Sequence, residues 1–337
     1  MVMSEAQRER VKATGIQGPS PAEPRFPFPV PSGWFAVAQS TDLVAGGTRN
    51  VHYFGRDLVV WREQSTGTPH VVDAYCAHLG AHLGVGSGSP DSHAPGPGTV
   101  HDACLQCPFH GWRYDGSGAV VEIPYAPSVR IPAKARVRGY PTREANGLIL
   151  CWYHALDQPP AWELPDVDEF DDEAWEGPVY TERYIDTALQ ELVENDQDTV
   201  HFVFVHGSDA VPEQTTRWDG RLRHTTALRP DGSTFTRETH QLGFSLMRTP
   251  NLMFLGASSP LDEAHTHQRW VFAYRKSIGA EAGRSMIDAF ACSGIYQDIP
   301  IWEHKSYREH PLLVKGDGPI MEFRRWAAQF YPSADGS

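Results

Sequence analysis

Short bursts of alternating apolar and polar positions fill the first half of the chain. "FPFPVPSGWFAVAQ" (26–39) opens the pattern, "NVHYFGRDLVVWRE" (50–63) reads as two strands around Gly55, and "HVVDAYCAHLG" follows. "GWRYDGSGAVVEI" turns at Asp115-Gly116 and Ser117-Gly118, and "RVRGYPTREANGLILCWYH" (136–154) turns at Asn146-Gly147. Asn-Gly and Asp-Gly accept the positive φ of tight hairpins. Closely spaced short strands with Gly turns predict an all-β domain over about 25–155, behind a polar, flexible N-terminal segment, 1–24.

Beyond a Pro- and acid-rich linker (157–178) the texture changes. "IDTALQELVENDQDTVHFVFVHG" (185–207) predicts a helix. "RLRHTTALRP", "STFTRETHQLGFSLMRT", "NLMFLGASSP" and "THQRWVFAYRK" predict long antiparallel strands, and "DIPIWEHKSYRE" and "GPIMEFRRWAAQFY" predict helices. The second part, 156–337, is therefore expected to be α+β. No internal repeat breaks this plan, and the one low-complexity stretch, "GVGSGSPDSHAPGPG" (84–98), reads as a loop insertion.

Composition narrows the function. A net charge of −13 argues against nucleic acid as partner, because phosphate binding needs an excess of Lys and Arg on one face. The acidic run "DVDEFDDEAWE" (166–176) reads as a solvated surface. No stretch of apolar residues is long enough to span a membrane, and no apolar leader follows the N-terminus. Five cysteines do not suggest a disulfide framework, which predicts a reducing cytoplasmic setting and a metal role for a Cys/His cluster.

Two constellations carry chemistry. Cys76-x-His78 and Cys107-x-x-His110 are compact pairs, each beside a glycine. Thiolates bind iron strongly and imidazoles more weakly, so one [2Fe–2S] cluster can take Cys76 and Cys107 on one iron and His78 and His110 on the other, the Rieske arrangement. Zinc is the rival, using Cys104-x-x-Cys107, His110 and Cys76 or His78; the C-x-H pair is a poor zinc knuckle. Cys104, His82, His93 and His101 are then loop residues. The second constellation is Asn195-x-x-Asp198-x-x-His201-x4-His206. Two histidines and a carboxylate leave positions open on Fe(II). Asp198 and His201 are expected to share a helix face. His206 joins His201 only if the helix ends or bulges near Phe202–Val205.

The strings "CAHLGAHLGVG" and "CPFHGWRYDGSG", with the Asn195–His206 pattern, resemble the Rieske non-haem iron oxygenases. The match departs in the long spacing between His78 and Cys107, which the stretch 87–98 explains. "DIPIWEHKSY", "PLLVKGDGPI" and "FRRWAAQFY" are closest to 3-ketosteroid 9α-hydroxylase oxygenase components and cholesterol 7-desaturases. The resemblance implies a Rieske domain (25–155) followed by a helix-grip catalytic domain with an antiparallel sheet around an apolar pocket. It implies a mononuclear Fe(II) held by His201, His206 and a late aspartate, Asp298 or its rival Asp288. Asn195 is expected to hydrogen-bond near that iron. Asp198 is expected to link it to a cluster histidine of a neighbouring subunit in a homotrimer. It further implies O2, a hydrophobic substrate, and a separate ferredoxin and/or flavin-dependent NAD(P)H reductase, since no GxGxxG nucleotide signature is present. Hydroxylation is expected, with desaturation, oxidative cyclisation or O-demethylation as alternatives on the same iron; a plain Rieske electron-transfer protein is the reading from another class. Phe244, Leu246, Met253 and Phe254, on strands within 233–275, are candidate pocket residues.

Overall fold

The computed structural model describes residues 25–86, 95–228 and 232–332, without the side chains of 292 and 293. The segment 1–24, His93 and most of the 87–98 insertion lie outside the described residues.

The first half is all β. Three small antiparallel sheets form from β1 (Gly33–Gln39), β2 (Thr48–Tyr53), β3 (Arg56–Arg62), β4 (Pro69–Asp73), β5 (Thr99–His101), β6 (Cys104–Gln106), β7 (Arg113–Tyr114), β8 (Val120–Glu122), β9 (Gly139–Tyr140), β10 (Thr142–Ala145) and β11 (Leu148–Tyr153). Their orders are β1-β11-β10, β9-β4-β3-β2 and β8-β7-β6-β5. The turn between β10 and β11 holds Asn146 and Gly147 at φ 57° and 73°, a conformation that a bulkier pair would resist.

The second half is built on an eight-stranded antiparallel sheet. Its principal strands are β12 (Trp175–Ile185), β13 (Glu213–Asp219), β14 (Leu222–Leu228), β15 (Thr234–Gln241), β16 (Phe244–Arg248), β17 (Leu252–Ala257) and β18 (Thr266–Arg275), in the order β12-β18-β17-β16-β15-β14-β13. Both faces of its centre are covered. Leu246, Met253, Leu255 and Val271 pack on Trp34, Ala36, Leu150 and Trp152 of the first half. Met247, Phe254 and Phe272 face the other way, toward Ile287 and Ala291. This double burial explains why "NLMFLGA" is apolar throughout rather than alternating.

The two halves are joined by buried polar groups. The Gln241 side chain accepts from Trp34 N–H (3.0 Å) and Trp162 Nε1–H (2.8 Å) and donates to Trp34 O (2.6 Å). Arg269, on β18, donates to Ala36 O at 2.9 Å, and Tyr53 Oη stands 2.6 Å from His267 Nδ1. The last helix packs between the two halves. Trp326 meets Trp218 of β13 (ring centroids 6.1 Å) and the Arg223 guanidinium of β14 lies over Phe323 and Trp326, while Phe323, Trp326 and Phe330 also complete the core of the first half with Phe35, Val37 and Ile149.

The predicted helix over 185–207 is broken. Strand β12 runs to Ile185; α1 covers Leu189–Glu194, one tight turn covers Asn195–Gln197, and α2 covers His201–Phe204. Asp198 between them is extended (φ −87°, ψ 95°), so Asp198 and His201 do not share one helix face. The helix ends at Phe204, ahead of His206. Nor does Asp298 open its helix. A helical run starts at α3 (Ala280–Asp288), passes through a π-helical stretch at Ala289–Gly294, and continues as α4 (Ile295–His304). The final helix, α5, is Ile320–Ala327.

Candidate functional site

Two five-residue turns bring the first constellation together. In one, Gly80 N–H donates to Cys76 O (2.9 Å) and Cys76 N–H to Ala81 O (2.9 Å); in the other, Gly111 N–H donates to Cys107 O (3.0 Å) and Cys107 N–H to Trp112 O (2.7 Å). Both turns close on a glycine with positive φ, 74° and 73°, which explains the glycine in each motif. Cys76 and Cys107 are buried in one core with Tyr114, Leu83 and Val137. The His78 and His110 rings lie 4.8 Å apart, and Trp112 stacks on His78 at 4.6 Å and 5°. Nδ1 of each histidine is buried without a hydrogen-bond partner. An orphaned buried polar atom costs about 1–3 kcal/mol. Two such nitrogens and two buried thiols, one of each in either turn, fit a metal cluster that takes both atom types. Burial pushes the Cys107 thiol up, and the backbone N–H groups of Phe109 and His110 work against that shift.

Tyr114 was not singled out by sequence. Its hydroxyl accepts from Ala77 N–H (3.0 Å) and stands 2.9 Å from Cys76 Sγ, so its own proton is available to the sulfur. The hint was its place in "GWRYDGSG", directly after the second turn. Cys104 lies on β6, away from that core, and His82 and His101 are engaged with Gly84 N–H and Asp102 respectively.

The second constellation converges from three elements. His201 opens α2, His206 follows its end, and Asp298 lies in the first turn of α4. Nε2 of His206 is 3.4 Å, and Nε2 of His201 3.9 Å, from the Asp298 carboxylate; one donor atom from each of the three residues falls within 4.8 Å of the others. The outer nitrogens are oriented too. His206 Nδ1 is 2.9 Å from Gln297 Oε1, and His201 Nδ1 is 3.8 Å from Asp198 Oδ1. Asn195 Nδ2 stands 3.3 Å from His201 Nε2. Burial raises the Asp298 pKa, with both histidines opposing. Burial also disfavours charge on His201, but Asp198 and Asp298 outweigh it and raise its pKa. Two imidazoles and a buried carboxylate on one side of an opening fit a divalent iron. Asp288 is exposed at the end of α3 and is not part of this group. Gln297 is a further residue that sequence reasoning missed; its one signal was adjacency to Asp298.

The three residues line a cavity of about 530 Å³ between the sheet and the helical run. Phe244 and Phe254 line it, as expected; Leu246 and Met253 do not, because they fill the junction with the first half, a core that Phe244 shares while reaching the cavity from the start of its strand. Met247 and Trp270 contribute instead, and so does Phe290 from the π-helical stretch. Gln268 is 1% exposed. Its Oε1 accepts from Arg183 (3.2 Å) and its Nε2 has no hydrogen-bond partner.

Residues 33–141 match the family described as Rieske [2Fe-2S] domain, and residues 151–331 match 3-Ketosteroid 9alpha-hydroxylase C-terminal domain. Cholesterol 7-desaturase of Caenorhabditis elegans is 30% identical over 97% of this chain and 81% of its own length. A 3-ketosteroid-9-alpha-monooxygenase oxygenase component of Rhodococcus rhodochrous is 30% identical over 89% and 82%. The solved structure of Pseudomonas putida CBB5 NdmA with caffeine superimposes with a TM-score of 0.72 at 23% identity, over 88% of this chain and 89% of that one, a likeness that establishes the fold. With both domains matched in order, the chain belongs to the Rieske non-haem iron oxygenases, enzymes that carry a [2Fe–2S] cluster and a mononuclear iron, and its catalytic domain is of the 3-ketosteroid 9α-hydroxylase kind.

Proposed function

We propose that this chain is the oxygenase component of a multicomponent monooxygenase that hydroxylates a hydrophobic, steroid-like or polycyclic molecule. A separate ferredoxin and/or flavin-dependent NAD(P)H reductase supplies the electrons. The observation that carries the reading is the convergence of His201, His206 and Asp298 on a cavity whose other walls include Phe244, Phe254 and Trp270. A volume of about 530 Å³ suits a small apolar ligand.

In this reading Cys76, His78, Cys107 and His110 hold the cluster, and His201, His206 and Asp298 hold Fe(II). When bound, these groups supply single-electron delivery and O2 activation. One oxygen atom enters the substrate and the other leaves as water, a balance that consumes two electrons and two protons. The chain's own residues orient the parts. Gln297 Oε1 accepts from His206 Nδ1, which leaves Nε2 facing the cavity. Asp198 accepts from His201 N–H (3.3 Å) on its inner side, and on its outer side lines a surface groove with Glu194, Arg308 and Leu313. That double exposure supports a bridging role toward a cluster histidine of a neighbouring copy in a homotrimer. The free thiols of Cys104 and Cys151 suit a reducing cytoplasm; no described helix is long and apolar enough to cross a membrane.

The decisive experiment is anaerobic iron loading, then turnover of 3-ketosteroids and sterols with O2, NADH and a reductase, read by mass spectrometry. Gain of one oxygen atom is expected. Loss of two hydrogens would mark desaturation, a second reading favoured by the resemblance to cholesterol 7-desaturases. Protein that binds no iron, or that holds zinc, would defeat both.

A further inference from the structure

The chain as a whole carries −13, but residues 33–141 are neutral, with eight acidic and eight basic side chains. The balance is uneven inside that region. From Ile123 to Gly139 there is no acid, and Arg130, Lys134, Arg136 and Arg138 fall within nine residues.

The structure gives this strip a position. Residues 135–137 run along β8: Val120 N–H donates to Ala135 O (2.9 Å), and Val137 N–H donates to Gly118 O (2.8 Å). The strip thus extends the outer edge of the sheet β8-β7-β6-β5, whose strand β7 begins just after the Cys107 turn. Along an extended chain, side chains alternate. Ala135 and Val137 point inward and pack in the same core as Cys76, Cys107 and Tyr114. Lys134 and Arg136 point outward and, like Arg130, are exposed. Arg136 makes one contact of 3.3 Å, to Ser117 O. Arg138 is committed to Asp157 at 2.6 Å. The far end of the strip enters a groove shared by Arg136, Tyr75 (the residue before Cys76), Arg56 and the carboxylates Asp57 and Asp73. Those acids are engaged, Asp57 with His52 and Tyr75, Asp73 with Arg56 and Tyr140.

We infer that Arg130, Lys134 and Arg136 form the docking surface for an acidic electron-transfer protein, the donor to the cluster. This rests on the function proposed above and adds where the donor binds and by what chemistry. The occupant follows from complementarity. Three exposed cations without an ion-pair partner among the described residues, on an otherwise acidic chain, select an acidic partner and turn it so that the strip faces it, and their inward neighbours place that partner over the core holding both cluster cysteines. Long-range attraction of this kind acts on the encounter rate and is screened by salt within about 8–10 Å at physiological strength.

The test uses the cluster-loaded full chain in stopped-flow, with a reduced acidic [2Fe–2S] ferredoxin as probe and cluster absorbance as signal. The triple variant R130E/K134E/R136E is expected to lower the second-order rate roughly 10- to 100-fold at low salt and to flatten its ionic-strength dependence. Complete reduction by excess dithionite should give the wild-type spectrum, which shows the cluster intact. The variant R130Q/K134Q/R136Q should fall between and guards against charge-reversal misfolding. A rate within twofold of wild type with unchanged salt dependence overturns the inference, as does a changed native mass, which would assign the strip to contact between copies. Wild-type protein without cluster absorbance would instead overturn the function on which this rests.

Discussion

At the scale of single residues, the site works through atoms that hold other atoms in place. Asp198 touches His201 at one side and an open groove at the other. Asp198→Ala is expected to leave iron and cluster loaded while turnover falls at least 10- to 100-fold, the usual cost of losing an orienting partner; metal analysis beside a turnover assay checks it, and wild-type turnover would remove the bridging role. Tyr114→Phe deletes the hydroxyl beside Cys76 Sγ. A hydrogen bond to sulfur favours the reduced cluster. Its loss should lower the potential by about 20–60 mV, from a bond of 0.5–1.5 kcal/mol in a one-electron couple, as a spectroelectrochemical titration would reveal. Gln268 offers a buried amide nitrogen without a hydrogen-bond partner at the cavity wall. For a ketone substrate, Gln268→Leu should raise KM roughly 2- to 12-fold with kcat little changed, the share of one neutral hydrogen bond. An unchanged KM would place the substrate oxygen elsewhere.

At the scale of elements, the junction between the halves carries a cluster of charged groups. Glu182 on β12 lies 2.8 Å from His267 Nε2 and 3.4 Å from Arg269 Nη2, both on β18. The hydrogen bond with His267 and the charge of Arg269 hold the Glu182 carboxyl at about 2, against the opposing effect of burial. Burial meanwhile pushes His267 down, so its neutral ring can accept from Tyr53 and donate to Glu182. A depressed carboxylate stabilises the fold fully above its unfolded value near 4.5 and loses that contribution as pH falls toward 2. Glu182 is partly solvated, so the contribution is on the order of 1–2 kcal/mol after screening. Urea unfolding between pH 5 and 2.5 should show a drop that Glu182→Gln lacks; parallel curves for the two proteins would refute the assignment. The elements themselves were unevenly legible. Hairpins with Asn-Gly or Asp-Gly turns and the long strands were readable because turn chemistry and alternation are local. The break of the 185–207 segment at Asp198 was not: its β-branched and aromatic run pointed to an end near Phe202–Val205, whereas the break at Asp198 accompanies the approach of His201 to Asp298, an effect of packing.

At the scale of the whole molecule, the proposed electron flow from one copy to the next makes a prediction that single-chain chemistry does not. Cys107→Ser should bleach the cluster, and His201→Ala should empty the iron site; each homomer should be inactive. Co-expressed and purified together, they should regain activity, because a copy with an intact cluster can feed the intact iron of its neighbour. A mixture as inactive as its parts would confine electron transfer to one chain.

The amino-acid order alone determined the two candidate ligand strings, the all-β and α+β halves, and the family, because ligand spacing, turn residues and hydrophobic period are encoded within short windows. Tertiary structure decided what depends on contacts between distant residues. It separated Asp298 from Asp288, since only one lies on the turn of the helix that faces both histidines. It sorted Phe254 from Leu246 and Met253 by the face of the sheet each occupies. It also gave Tyr114, Gln297 and Gln268 partners that no local pattern specifies, because a hydrogen bond across many residues is fixed only when the chain has folded around it.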